Sequence, residues 1–164
     1  MIYKLILTGF LAMIPLFSSG QSFAYKTLLQ TVYDKNFPLI QPNDLKANLQ
    51  QFELLDIREK NEFEVSHIKG AKLIEYSTFS LEKISTIPKD KPIVVYCSIG
   101  ARSQEIGKKL IDAGYTNVFN LYGGIFHWVN EGLPVYNKNL KTNKIHGYNK
   151  KWGIWLTKGD KVYN

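Results

Sequence analysis

The sequence contains one side chain well suited to nucleophilic chemistry, the thiol of Cys97, and Cys97 is the only cysteine of the chain. A single cysteine cannot form a disulfide within the chain, so its thiol is either buried and inert or available for a reaction. The residues that follow favour a reaction. Gly100 allows a tight turn that other residues resist, and a helix is predicted to begin directly after it.

Residues 97–103 (CSIGARS) predict a loop that holds an anion. Backbone amides at the start of a helix can point together toward a bound anion. Arg102 adds a permanent positive charge, and Ser98 and Ser103 can supply hydroxyl groups. Such surroundings favour the thiolate, which is the reactive form of cysteine. A persulfide, a thiophosphate or a cysteinyl phosphate on Cys97 would fit, so this loop alone leaves sulfur transfer and phosphate chemistry open.

Strands and helices that alternate along the chain must position this loop. Strands are predicted at residues 52–57, 72–74, 93–96 and 117–121, and helices from Pro42, over 80–86 and 102–113, and from Gly124 through Val129. The alternation predicts an α/β fold with a central, mostly parallel sheet and helices on both faces. Ligands of such sheets bind at the carboxyl ends of strands, where Cys97 is expected to lie.

The loop resembles the active-site loop of the single-domain rhodaneses, which are sulfurtransferases. Two other segments are similar to signatures of the same family: residues 54–59 (LLDIRE) with 62–63 (EF) and 67–71 (HIKGA), and residues 123–128 (GGIFHW). The resemblance covers about residues 40–136. Three signatures in the expected order are more specific than one loop.

The resemblance implies a reaction in two steps, and no cofactor is expected. Cys97 takes a sulfane sulfur from a small anion such as thiosulfate, becomes a persulfide, and passes that sulfur to cyanide or a thiol acceptor. The resemblance also implies that Arg102 binds the anion and that the backbone of the loop holds the terminal sulfur. The substrate-binding residues expected from it are Ser98, Ile99, Gly100, Ala101, Arg102 and Ser103.

One position departs from the family pattern in a way that bears on the donor. Ser98 stands where many active rhodaneses carry Arg or Lys. Because that positive charge is missing, we expect a weaker attraction for thiosulfate.

Two other classes of function are alternatives to sulfur transfer. Cysteine phosphatases and arsenate reductases of related architecture use a Cys-x5-Arg loop, whereas four residues separate Cys97 from Arg102 here. A smaller ring of amides suits a single sulfur atom better than a tetrahedral oxyanion. A non-catalytic persulfide carrier, or an interaction module for one protein partner, stays open.

Three residues of the first family signature are expected near the site. Asp56 and Arg58 follow a strand and could form an internal ion pair, with Arg58 the better candidate for a direct contact with substrate. His67 is expected to hydrogen-bond a loop rather than to act as a base, and His127 to be a packing residue. The spacing of His and Cys residues does not match a metal site.

The N-terminal residues 1–24 are typical of a secretory signal peptide. Lys4 precedes an apolar run at residues 5–17, which is short for a membrane span of about 20 residues. Cleavage could follow Gly20 or Ala24. The sequence therefore predicts export, either to the periplasm of a bacterial envelope or out of the cell. Residues 25–136 are expected to form the rhodanese domain, with its core at about 40–136 and a loosely held lead-in at 25–40.

Residues 137–164 form a basic, aromatic C-terminal extension. The chain carries a net charge of +7, and this extension alone holds seven lysines and one aspartate. Because the folded domain is nearly neutral, binding of nucleic acid is not predicted. Residues 152–156 and 162–163 are expected to form a small hairpin that packs on the domain. The lysines leave open a contact with an anionic membrane surface or an acidic protein, and the oligomeric state is open too.

Overall fold

The computed structural model of the protein describes residues 23–163. The apolar run of the predicted signal peptide lies outside the described residues. Within them, no helix has both the length and the apolar character needed to cross a membrane.

A five-stranded parallel sheet forms the centre of the described chain. Its strand order is β1-β5-β4-β2-β3, and every neighbouring pair in it is parallel, as the sequence predicted. The strands are β1 (Leu39–Ile40), β2 (Glu53–Asp56), β3 (Lys72–Leu73), β4 (Ile93–Tyr96) and β5 (Val118–Leu121).

Helices and turns connect these strands and cover the sheet. The helices of this part of the chain are α1 (Phe23–Val32), α2 (Pro42–Asn48), α3 (Lys60–Val65), α4 (Ala101–Asp112), α5 (Gly124–Asn130) and α6 (Lys150–Gly153). The predicted helix at 80–86 is a shorter 3-10 turn, Leu81–Ile84, and another 3-10 turn spans Leu49–Gln51.

The central strand β4 is buried on both of its faces. Val94 and Tyr96 pack into one hydrophobic cluster with Trp128 of α5, whereas Ile93 and Val95 pack into a second cluster with Ile106 of α4. A strand covered by helices on both sides needs no polar face, which explains its unbroken apolar sequence. The expected arrangement of helices on both faces is therefore confirmed.

The prediction of a loosely held lead-in at residues 25–40 was wrong. Residues 23–32 form helix α1, in which Tyr25 and Leu29 are fully buried. These two residues are four apart and lie on one helix face, a periodicity that is visible in the sequence. The Tyr25 hydroxyl donates to the carbonyl of Gly123 at 2.9 Å and so joins α1 to the start of α5.

The prediction of a hairpin at residues 152–163 was also wrong. Val135–Asn137 (β6) and Leu140–Thr142 (β7) form an antiparallel hairpin, and Lys144–His146 (β8) pairs in parallel with Asp160–Val162 (β9). The segment around Trp152 is helical because the Asn149 side chain accepts the Trp152 amide at 3.0 Å and caps α6.

The extension packs against the domain, as expected. The ring of Trp155 stacks on Tyr25, with 5.4 Å between ring centroids, and Leu156 is fully buried. The extension is thereby continuous with the apolar cluster on one face of the sheet.

Candidate active site at the β4–α4 loop

Cys97 directly follows strand β4, and its loop leads into the N-terminus of the 12-residue helix α4. The Gly100 amide donates to the Cys97 sulfur at 3.2 Å. Gly100 has φ +100°, which L side chains rarely adopt, and a Cβ here would collide with the hydroxyl of Tyr33. Glycine is therefore required for both the turn and the packing around it.

The carbonyl oxygens of the loop are bonded to the surrounding protein. Those of Cys97 and Ser98 accept the amides of Ile125 and Phe126 at 2.9 and 3.0 Å. The carbonyl of Ile99 accepts the Tyr33 hydroxyl at 2.5 Å. This anchoring fixes the loop while the Gly100 amide faces the sulfur.

Tyr33 joins α1, the loop and the start of α5. In addition to its bond to Ile99, its hydroxyl oxygen accepts the Gly123 amide at 2.8 Å. Burial raises the pKa of Tyr33 well above its ordinary value, so the hydroxyl stays protonated and available as a donor. Sequence reasoning missed this residue because it falls in the stretch that was predicted to be loose.

Ser103 supports the loop through buried hydrogen bonds and is not among the residues that line the pocket at Cys97. Its hydroxyl donates to Asn120 at 2.7 Å, and Asn120 in turn donates to the Gly100 carbonyl at 2.9 Å. Ser103 and Asn120 are both fully buried. Asn120 was not predicted, although a polar residue inside the apolar strand β5 was a usable signal.

Arg102 is bound by a carboxylate that sequence reasoning missed, that of Glu62 on α3. Its two terminal nitrogens donate to the two Glu62 oxygens at 2.9 and 3.0 Å. The Ser98 hydroxyl also donates to Glu62 at 3.0 Å, and the guanidinium lies 4.9 Å from the ring centroid of Tyr148. The expected anion-binding arginine therefore has its charge balanced by a neighbour.

Glu62 is held in place by its position in α3. It forms a capping box with Glu59, in which each side chain accepts the other residue's backbone amide. Burial opposes ionisation of Glu62, but the hydrogen bonds and charge of Arg102 outweigh it and lower the pKa of this carboxyl. The Glu-x-x-Glu spacing was a signal for the cap, though not for the contact with Arg102.

Asp56 and Arg58 form the internal ion pair that the sequence suggested. Both side chains are fully buried, with 2.6 Å between Arg58 Nη2 and Asp56 Oδ2. The same nitrogen donates to the carbonyl of Ser66 at 2.6 Å. Arg58 thus ties the end of β2 to the segment after α3 and is not among the residues that line the pocket at Cys97.

None of the three histidines is among the residues that line the pocket at Cys97. His67 Nδ1 is 3.1 Å from the carbonyl of Phe63, and the two rings stack. His127 is buried against Tyr122, and burial lowers its pKa. His146 on β8 is also buried, which lowers its pKa although Glu62 opposes that shift. Within residues 23–163, no group of three or more His, Cys, Asp or Glu side chains could hold a metal ion.

A pocket of about 140 Å³ opens at the sulfur of Cys97. Two of its lining residues, Tyr148 and Trp152, come from the C-terminal extension, and neither was predicted as part of a site. The lining residues are Cys97, Ser98, Ile99, Ala101, Arg102, Tyr148 and Trp152.

This geometry can hold an anionic sulfur atom in front of a helix N-terminus. The family description "Rhodanese-like domain" matches residues 41–131, more than half of the chain. The chain belongs to the rhodanese-like domain family. This rhodanese-like fold is also seen in a crystal structure of a rhodanese-related protein from Thermoplasma volcanium, with a TM-score of 0.57 and 31% identity, covering 62% of this chain and 100% of that one.

Two relatives of this rhodanese-like protein are sulfurtransferases by name. The sulfurtransferase of Allochromatium vinosum is 37% identical over 89 residues, which cover 54% of this chain and 82% of that protein. The thiosulfate sulfurtransferase GlpE of Haemophilus influenzae is 36% identical over 101 residues, covering 60% of this chain and 94% of that protein. Tyr33, Tyr148 and Trp152 all lie outside the segment that the family description matches.

Proposed function

We propose that this protein is a sulfurtransferase that carries sulfane sulfur as a persulfide on Cys97. The observation that carries the proposal is the Cys97 sulfur facing the Gly100 amide at 3.2 Å, at the N-terminus of α4 and in a pocket that Cys97 helps to line. Its membership of the rhodanese-like family and its named sulfurtransferase relatives support the same reaction.

With thiosulfate as donor, the Cys97 thiolate would attack the outer sulfur. The sulfur–sulfur bond of the donor breaks, sulfite leaves with the electron pair, and Cys97 becomes a persulfide. Cyanide or a thiolate then attacks the outer sulfur of that persulfide, and Cys97 leaves as a thiolate. The Gly100 amide and the positive end of the α4 dipole would stabilise the negative sulfur in both steps.

Arg102 has a different role in this proposal from the one that the resemblance implied. Each of its terminal nitrogens donates to Glu62 and one also donates to Ser98, so it fixes Ser98 and the wall of the pocket, and an incoming anion would have to share its charge with a carboxylate. The same pairing gives a phosphatase or arsenate reductase less support, because those enzymes need an arginine that is free for the oxyanion.

Thiocyanate formation from cyanide and a sulfane-sulfur donor tests the proposal. The protein is compared with its Cys97→Ser variant, and we expect turnover that falls to the uncatalysed background in the variant. Turnover equal in both proteins would contradict a Cys97 intermediate. A protein that loads one sulfur on Cys97 but turns over slowly with cyanide and with small thiols would instead be a persulfide carrier.

A further inference from the structure

The C-terminal extension closes one side of the pocket at Cys97 with two aromatic rings. Tyr148 lies over the guanidinium of Arg102, and Trp152 lies on α6, whose first turn is capped by Asn149. Trp152 also packs against the apolar cluster that includes β4 and α5. Trp152 is thus held by the core and Tyr148 by its contact with Arg102, and the two rings form one side of the pocket.

The walls of this pocket carry almost no net charge. Among the described residues that line it, Arg102 carries the permanent charge, and Glu62 balances that charge. The Ser98 hydroxyl is likewise directed to Glu62. A small dianion such as thiosulfate would have to share the charge of Arg102 with Glu62 and would otherwise rely on the backbone amides of the loop.

The remaining lining surface is apolar. Ile99, Ala101 and the two aromatic rings provide most of it. The pocket volume of about 140 Å³ is close to that of an enclosed apolar cavity of roughly 150 Å³ that binds benzene, but this pocket is open to solvent on one side. An organic group attached to the transferable sulfur would bury its apolar surface against these rings, which thiosulfate cannot do.

We propose that Tyr148 and Trp152 determine donor specificity and select sulfane-sulfur compounds with an apolar organic body, such as aryl thiosulfonates, over thiosulfate. This inference rests on the proposed sulfurtransferase activity. The Cys97 thiolate attacks the outer sulfur of the thiosulfonate, the sulfur–sulfonyl bond breaks, and the sulfinate leaves with the electron pair. Cys97 is left as a persulfide, and no oxidant or reductant is consumed.

The test compares benzenethiosulfonate with thiosulfate as donors, with cyanide as the common acceptor. The two donors present the same reacting sulfur, and their intrinsic reactivities cancel when the ratio of kcat/KM values is compared between variants. In Tyr148→Asn we expect this ratio, aryl donor over thiosulfate, to fall about tenfold, chiefly through KM for the aryl donor. Asparagine suits the site because Tyr148 has φ +62° and is 44% exposed.

Three further variants sharpen the result. Tyr148→Phe keeps the ring and should keep the ratio, whereas Trp152→Leu removes the other ring and should lower the ratio. Tyr136→Asn is the matched control, because Tyr136 is also a tyrosine beside a cation, 5.7 Å from Lys69, but does not line the pocket. Its ratio should equal that of the unmodified protein.

The outcomes separate the two proposals. If neither donor places sulfur on Cys97, the proposed function falls and this inference with it. If both donors turn over and the ratio in Tyr148→Asn and Trp152→Leu matches that in Tyr136→Asn, the extension does not select the donor and this inference alone is overturned.

Discussion

Replacing Glu62 with glutamine tests the ion pair that neutralises the arginine of the loop. The Glu62 side chain is 2% exposed and accepts both terminal nitrogens of Arg102. Glutamine preserves the shape and the capping box, but it presents an amide NH2 to one of the two guanidinium donors. Losing a hydrogen bond to a charged group costs about 1.5–3 kcal/mol. We expect Glu62→Gln to lower the free energy of unfolding by about 2 kcal/mol, which corresponds to a fall in Tm of roughly 4–8 °C.

The pH dependence of this loss follows from the titration of Glu62. Burial opposes its ionisation, but Arg102 outweighs burial and holds the pKa of the folded carboxyl below its ordinary value of 4.5. A carboxyl with a lowered folded pKa stabilises the fold above its unfolded pKa, and this contribution is lost as pH falls through the folded pKa. The difference in free energy of unfolding between the unmodified protein and Glu62→Gln should therefore be largest near neutral pH and should shrink below about pH 4.5.

Urea unfolding followed by tryptophan fluorescence, near neutral pH and again at about pH 3.5, measures both effects. Glu64→Gln is the matched control on the same helix, since Glu64 is 63% exposed and lies 3.7 Å from Lys60. Such an exposed pair contributes less than about 0.5 kcal/mol. The reasoning is refuted if the two variants lose equal stability, or if the loss in Glu62→Gln is the same at both pH values.

Three other predictions concern the supports and the ends of the chain. Tyr33→Phe removes the bonds to Ile99 and Gly123 and should lower the free energy of unfolding by about 1–3 kcal/mol, measured by urea unfolding; an unchanged midpoint would contradict the anchoring role of this hydroxyl. Expression of the whole chain in a bacterial host, followed by fractionation and mass measurement, should give an exported product that lacks 20 or 24 residues, whereas an uncut cytoplasmic product would count against the signal peptide. The exposed lysines of the extension should bind phosphatidylserine vesicles in a salt-sensitive way that Lys150→Glu with Lys151→Glu weakens; equal binding to neutral vesicles would contradict this.

Local sequence was enough to predict the loop and four of the five strands of the sheet, but not β1, which lies in the stretch that was expected to be loose. Strand β4 has four consecutive buried residues. Its short apolar run, followed by a helix, predicts a strand that is buried on both faces. The Cys97–Gly100–Arg102 spacing likewise expresses local needs: a thiol at a strand end, a positive φ and a helix start. Each of these constraints acts over a few residues, and a sequence displays such constraints directly.

The partners of the loop could not be predicted because they come from distant parts of the chain. Glu62 contacts Arg102 across 40 residues, and Tyr33 contacts Ile99 across 66. The contacts of the C-terminal extension were harder to predict, since its aromatic composition does not show which rings face the core and which face the pocket. Trp155 packs on Tyr25, while Tyr148 lies over Arg102. Which ring takes which position depends on how β8, α6 and β9 fold.

Intact-protein mass spectrometry tests most directly whether Cys97 carries the sulfur. The protein is incubated with benzenethiosulfonate or thiosulfate, excess donor is removed, and the intact mass is measured. The Cys97→Ser variant is treated in parallel. We predict a gain of one sulfur atom that maps to Cys97, is absent from the variant, and disappears with formation of thiocyanate when cyanide is added. A protein that gains no sulfur from either donor, or whose Cys97→Ser variant gains the same mass, would contradict the claim.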